Sequence, residues 1–307
     1  MSQNPKIVII GAAIIDLIGY SKNKLIYKDS NIGTFETTLG GVGRNIAENL
    51  SRLSIDVEFI SMLADDDFSK KISFSCNNLG ISTKHCTTIK NSNTPVYLAI
   101  MDHHNDLALG LSAMDIFVDI PQSFITNSIP IISEYSYCVL DTNMPATLLE
   151  QVTNSLPNVL FALDTVSSDK TLRAKTILKN LHILKCNLME AELLSGLTFS
   201  SETDCKKLAT YFINKGVTNV FITLGKDGVV YGNAEGIYKS KIENIKPIST
   251  NGAGDSFMAG LIFGEMHDFD IHKTVLFAAE CAKKTIQHKN NVHPNLNKEQ
   301  ILKSISC

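Results

Sequence analysis

Short apolar runs along this chain alternate with stretches whose apolar residues recur every three or four positions. Runs of the first kind lie at Lys6–Ala13, Val57–Leu63, Tyr137–Asp141, Val159–Thr165, His182–Cys186, Asn219–Leu224 and Val229–Tyr231. They are short and nearly unbroken, as strands covered on both faces are. Between them, Arg44–Leu53 carries Ile46, Ala47, Leu50 and Leu53 at helical spacing. Similar patterns occupy Phe68–Leu79, Thr203–Lys215, Ser256–Phe263 and Ile271–Gln287. This alternation predicts an α/β fold: a doubly wound, mostly parallel sheet with helices on both faces. No internal repeat or low-complexity linker interrupts it, so residues 1–307 read as one domain.

Two segments break the rhythm. Ile18–Leu39 is polar and lacks a helical pattern. In Pro95–Phe117, the candidate strands Val96–Met101 and Leu107–Leu111 flank the turn Asp102-His103-His104-Asn105-Asp106, a hairpin signal. Together these segments, roughly residues 16–39 and 95–117, are expected to form a small sheet projecting from the main body. It is either a lid over a site or an ordinary surface meander. The free edges of such a sheet can pair with a second copy, which allows a homodimer.

Composition narrows the function classes. Hydrophobic residues make up 44% and charged residues 19%, the balance of a globular chain. A net charge of −3 gives no reason to expect nucleic acid or an anionic membrane as partner. The seven cysteines are irregularly spaced, with no C-x-x-C, so reduced thiols in a cytoplasmic protein are expected. The histidines show no zinc spacing, and His103-His104 reads as an exposed turn. Ile7–Ile15 is followed by Asp16 without a cleavage-like site, so it reads as a buried first strand, and no run is long enough to span a bilayer.

The chemistry concentrates in Ser249-Thr250-Asn251-Gly252-Ala253-Gly254-Asp255-Ser256, which leads straight into a helical pattern. The small residues Gly252, Ala253 and Gly254 permit a tight turn that presents successive N–H groups at a helix start, where the macrodipole is positive. Such a site suits the charge on a transferring phosphoryl group. Asp255 beside it can take a proton from an attacking hydroxyl, or can simply cap the helix. No G-x-x-x-x-G-K-[ST] is present, which disfavours a P-loop kinase.

That turn, together with Gly40-Gly41-Val42-Gly43-Arg44-Asn45 and Thr223-Leu224-Gly225-Lys226-Asp227-Gly228, resembles the PfkB (ribokinase-like) carbohydrate and nucleoside kinases over most of the chain. With Asn187-Leu188-Met189-Glu190 and Asp164-Thr165-Val166-Ser167, the combination is more similar to the pseudouridine kinases than to the ribokinases, which usually carry Lys where Val42 stands. The resemblance implies a ribokinase-like fold with a β-sheet lid. It also implies MgATP-dependent phosphorylation of a ribose 5′-hydroxyl, pseudouridine giving pseudouridine 5′-phosphate. Ribose, adenosine or another nucleoside remain alternative substrates, and a non-catalytic nucleoside or nucleotide sensor is the rival from another class.

Carried over residue by residue, the resemblance gives Asp255 the role of base and Gly252, Ala253 and Gly254 that of the anion hole. Asp16, Gly40, Gly41 and Asn45 match the sugar site. A carboxylate at Asp16 suits a vicinal diol. Gly40–Gly43 is otherwise a plain turn and Asn45 an N-cap. Asn187 and Glu190 match the N-x-x-E motif that organises Mg2+ and its waters, though the same spacing makes a capping box. Thr223, Gly225 and Gly228 match the ATP loop. Lys226 faces either a phosphate or solvent, and the adenine belongs near Ala279–His288. Asp115, Asn143 and Lys170 are candidates for reading the base. Asn251 stands where the family usually has Thr, which alters the loop beside any monovalent cation (K+) site.

Overall fold

The computed structural model describes residues 5–198, 202–241 and 245–306. Strand β1 (Lys6–Ile10) carries four consecutive apolar residues, Ile7 to Ile10, all fully buried, because both faces of the strand are covered. The chain leaves it through Gly11–Ala13, enters β2 (Ile14–Ser21), returns through β3 (Gly33–Gly40) and starts helix α1 (Val42–Arg52). There follow β4 (Asp56–Ile60), β5 (Met62–Ala64), α2 (Asp67–Asn78), β6 (Thr87–Ile89), β7 (Val96–Met101) and β8 (Leu107–Ala113). Helices and strands then alternate: α3 (Gln122–Ile132), β9 (Tyr137–Asp141), α4 (Ala146–Ser155), β10 (Leu160–Asp164) and the short α5 (Ser168–Thr171). Next come β11 (Leu181–Asn187), α6 (Leu188–Ser195), α7 (Glu202–Asn214), β12 (Asn219–Thr223), β13 (Val229–Asn233) and β14 (Gly236–Ser240). Three helices close the chain: α8 (Ala253–Met266), α9 (Ile271–Ile286) and α10 (Lys298–Ile305).

The main sheet has the order β14-β13-β12-β11-β10-β9-β1-β4. The run from β4 to β12 is parallel, and β13 and β14 are added antiparallel. Alternation along β1 divides the core in two. Val8 and Ile10 pack with Phe124, Leu148, Ala191 and Leu208, from α3, α4, α6 and α7. Ile7 and Ile9 pack with Ile46 and Leu50 of α1, Phe257 and Leu261 of α8, and Phe277 of α9. Strand order reverses direction at β1 and β9, and ligands of such sheets bind outside the carboxyl ends of the strands at that crevice. Among the described residues no helix is long and apolar enough to cross a membrane.

A separate sheet has the order β3-β2-β7-β8 and draws its strands from the two segments that break the sequence rhythm. The β7–β8 turn closes with Asp102 N to Asp106 O at 2.9 Å. The solvent side of this sheet is apolar in part: Leu107, Leu109 and Leu111 of β8 and Phe35 of β3 are exposed.

Some boundaries differ from the sequence pattern. The apolar run Lys6–Ala13 is not one strand: β1 ends at Ile10, and the next strand belongs to the other sheet. The continued apolarity of Ala12 and Ala13 records burial, not pairing. Val57–Leu63 likewise divides at Ser61 into β4 and β5, and β5 pairs with β6. Helices α3, α4, α5 and α10 and strands β6 and β14 are additional to the elements read from the pattern.

Candidate active site

Helix α8 begins at Ala253, and Gly252 precedes it with φ of 73°. Only glycine fits there, because a Cβ would collide with the main-chain carbonyl of Asn291 as well as strain the left-handed backbone. The first intrahelical bond runs from Ser256 N to Gly252 O at 3.0 Å. The N–H groups before it stand outside the helical ladder at the positive end of the dipole. Asp255 is the third helical residue and does not cap; the N-cap position is Gly252, with no side-chain bond. Its carboxylate is buried and turned toward α1, where Asn45 Nδ2 donates to Asp255 Oδ2 at 2.8 Å. Burial, and after it the charge of Asp164, pushes the Asp255 pKa up to about 7, against the opposing pull of Asn45 and Lys185.

The residues matched to a sugar site come together on the other side of Asp255. Asp16 projects from β2, and a Cβ on Gly40 would collide with its carboxylate. Gly41 caps α1 with φ of 96°, in a position where a Cβ would strike the Ala12 carbonyl. Asn45 is therefore not an N-cap but sits inside the first turn of α1. Asn291, in the loop between α9 and α10, donates Nδ2 to Asp16 Oδ2 at 3.0 Å. Burial raises the Asp16 pKa to about 6, partly offset by Asn291 and the Arg44 guanidinium.

On the opposite flank of the glycine turn lies a cavity of about 510 Å3. Thr223, Gly225, Lys226 and Gly228 line it together with Ala253, Gly254 and Phe257. Its far wall is Ala279, Ala282, Lys283 and Ile286 of α9, within the stretch expected to hold adenine. Asn187 is in register with Thr223 at the ends of β11 and β12. Asn187 Oδ1 accepts Glu190 N at 2.9 Å, and Glu190 Oε2 accepts Asn187 N at 2.8 Å, so the capping box is formed. Thr165 Oγ1 donates to the same Glu190 oxygen at 2.6 Å. Among the described residues no three His, Cys, Asp or Glu groups cluster as a metal cage. One buried carboxylate with one oxygen already engaged fits a Mg2+ held mainly by water and phosphate.

Five further residues shape the site. Asp141, fully buried at the end of β9, accepts from Ala12 N at 2.9 Å, Gly43 N at 2.8 Å and Asn143 N at 2.8 Å. Burial raises its pKa against those three bonds. Lys185 is buried in an ion pair with Asp164, Nζ to Oδ2 at 2.8 Å. A Cβ on Gly254 would lie 2.7 Å from the same Nζ, so the ammonium abuts the glycine turn. Burial pulls the Lys185 pKa down, but the Asp164 carboxylate more than offsets it and the net shift is upward. Arg44 and Asn291 complete the set. The one sequence signal for three of the five, Asp141, Asp164 and Lys185, is a charged residue at or near the carboxyl end of an apolar strand. Of the candidates for reading a base, Lys170 donates to Asn143 Oδ1 at 2.8 Å beside Asp141. Asp115 opens a single turn after β8.

Comparison with known proteins agrees with this fold. The model of the pfkB family carbohydrate kinases matches residues 4–298. A pseudouridine kinase of Escherichia coli is 31% identical over 299 residues, 97% of this chain and 95% of that protein. A guanosine-inosine kinase of Exiguobacterium acetylicum is 25% identical, covering 84% of this chain and 86% of its own. Among solved structures, a protein of Clostridium perfringens described as a sugar kinase superposes with a TM-score of 0.88 at 31% identity, covering 99% and 96% of the two chains. Arabidopsis thaliana ribokinase, complexed with ribose and ATP, superposes at 0.87 with 19% identity, covering 99% and 100%.

Proposed function

The chain belongs to the pfkB family of carbohydrate kinases, and we propose that within it this protein transfers the γ-phosphoryl group of ATP to the 5′-hydroxyl of a nucleoside, pseudouridine being the preferred acceptor. One observation carries the reading. Asp255 and its glycine turn stand between the cavity lined by Thr223 and Gly254 and the polar cluster of Asp16 and Asn45.

In this mechanism ATP occupies the cavity, with adenine against Ala279 and Ala282. The nucleoside diol is held by Asp16. Asp255 receives the proton of the 5′-oxygen as that oxygen bonds to the γ-phosphorus and ADP leaves. The main-chain N–H groups of the turn and the Lys185 ammonium hold the developing charge. Mg2+ neutralises phosphate charge in such reactions; Glu190 would hold it through water. The small sheet acts as a lid that excludes water on closure. Its exposed row Leu107, Leu109 and Leu111 supports pairing with a second copy, which light scattering in solution measures. The thiols of Cys76, Cys86, Cys138, Cys186 and Cys281 suit a reducing cytoplasm. Rates in K+ against Na+ test the monovalent site beside Asn251.

Support for pseudouridine comes from the relative at 31% identity and from the Val42 and Glu190 blocks. The test is a phosphotransfer panel of pseudouridine, uridine, adenosine and ribose, read by product mass. The expected result is one added phosphate, fastest on pseudouridine. Turnover of ribose alone would replace the nucleoside assignment.

A further inference from the structure

Arg44 lies one residue before Asn45 and is 4% exposed. Its Nη1 donates to Asn45 Oδ1 at 3.1 Å, and its Nη2 pairs with Glu48 Oε2. Glu48 Oε1 is held in turn by Arg52, at 2.6 and 3.0 Å. Asn45 then passes its Nδ2 to Asp255 at 2.8 Å. A guanidinium has donors and no acceptor, so the amide beside it must present its oxygen. The other end of that amide, the NH2, is left to face Asp255.

We propose that Arg44 is a positioning residue: acting through Asn45, it fixes the amide so that an N–H, not a carbonyl oxygen, meets the carboxylate of Asp255. This inference rests on the reading of Asp255 as the base. Without Arg44, the amide of Asn45 is free to turn over. An oxygen facing Asp255 favours the protonated acid, which cannot accept the substrate proton. The charged groups that face Asp255 are Asp141 from β9, Asp164 from β10 and Lys185 from β11. Among the described residues the one tie from α1 to these groups is the main-chain N–H of Gly43 on Asp141, which a change in the Arg44 side chain does not remove. Arg44 also acts on Asp16, so the nucleoside KM responds separately.

The experiment measures kcat against pH, at saturating ATP and nucleoside, in the wild type, Arg44→Met, Arg44→Lys and Asp255→Asn. For Arg44→Met the acidic limb should move up by roughly one pH unit, with the high-pH plateau within a few fold of wild type. Arg44→Lys restores a donor-only group and should bring the limb back. A limb left in place, with kcat lowered equally at every pH, means that Arg44 only packs, and overturns the proposal. An active Asp255→Asn removes the base assignment and the proposal with it. An inactive Asp255→Asn beside an unmoved Arg44→Met limb overturns the proposal alone. Glu48 keeps Arg52 as partner in Arg44→Met. If that variant does not fold, Arg44→Met with Glu48→Gln removes the carboxylate charge left behind and is read the same way.

Discussion

Replacing Asp255 with Asn should stabilise the protein above neutral pH while removing its turnover. In the fold this carboxyl ionises at about 7 instead of 3.8, chiefly because it is buried and secondly because Asp164 repels its charge. Between those values the folded protein holds a proton that the unfolded chain has already released. Stability therefore falls as pH rises through that window, and the loss is complete above pH 7. At about 1.4 kcal/mol per pH unit, the full cost of ionising the group in place is roughly 4 kcal/mol. Asparagine has the same shape, stays neutral and still accepts from Asn45. Urea unfolding of both proteins at pH 5 and pH 8.5 measures the effect, because every other titrating group is common to the two. The advantage of Asp255→Asn should grow by roughly 2–3 kcal/mol between those pH values. An equal difference at both, or a less stable variant at pH 8.5, would refute the reasoning. It would mean that attraction to Lys185 outweighs burial at this position.

Three other substitutions probe separate parts of the site. Gly252→Ala forces a side chain onto the Asn291 carbonyl in left-handed backbone. It should cost at least about 1–2 kcal/mol, seen as a lower Tm by calorimetry, and roughly a hundredfold or more in kcat. Asp16→Asn should raise the nucleoside KM roughly 10- to 100-fold and leave the ATP KM unmoved, as loss of a charged hydrogen-bond acceptor does. Asn187→Ala removes the cap of α6 and one of the bonds that place Glu190. Thermal unfolding should show a loss of about 1 kcal/mol, and a Mg2+ titration of the rate should require more Mg2+.

The apolar runs announced the main-sheet strands because parallel strands are buried on both faces, and Ile7–Ile10 is the clearest case. Strands β2 and β3 were unreadable for the opposite reason. The buried Ile14 and Ile15 of β2 merge with the apolar run before them, the rest of β2 is half-exposed, β3 is largely exposed and polar, and neither period stands out in Ile14–Gly40. Gly252, Gly254 and Asp255 were legible as a group, since two glycines before an acid at a helix start are a strong local pattern. Gly40 carried no such signal on its own. The need for glycine there comes from Asp16, which lies on the paired strand two residues past Gly40's own register partner, Ile14, and turns its carboxylate against it. Asn291 was hidden for the same reason, its partner Asp16 being distant in sequence, and Arg44 because its local partner Asn45 gains meaning only from the distant Asp255. Local pattern reveals backbone demands, and cross-chain hydrogen bonds leave almost no trace in it.

Asp141 has a consequence for engineering. Its carboxylate ties the exit of the first main-sheet strand, the start of the helix bearing Asn45 and its own loop into one joint. A chimera that imports a relative's small sheet to change acceptor preference therefore cannot be cut at residues 12 and 41 alone. Its crossover points must be chosen so that the graft meets an aspartate with the same reach, or the transplanted piece will hang from a broken pivot.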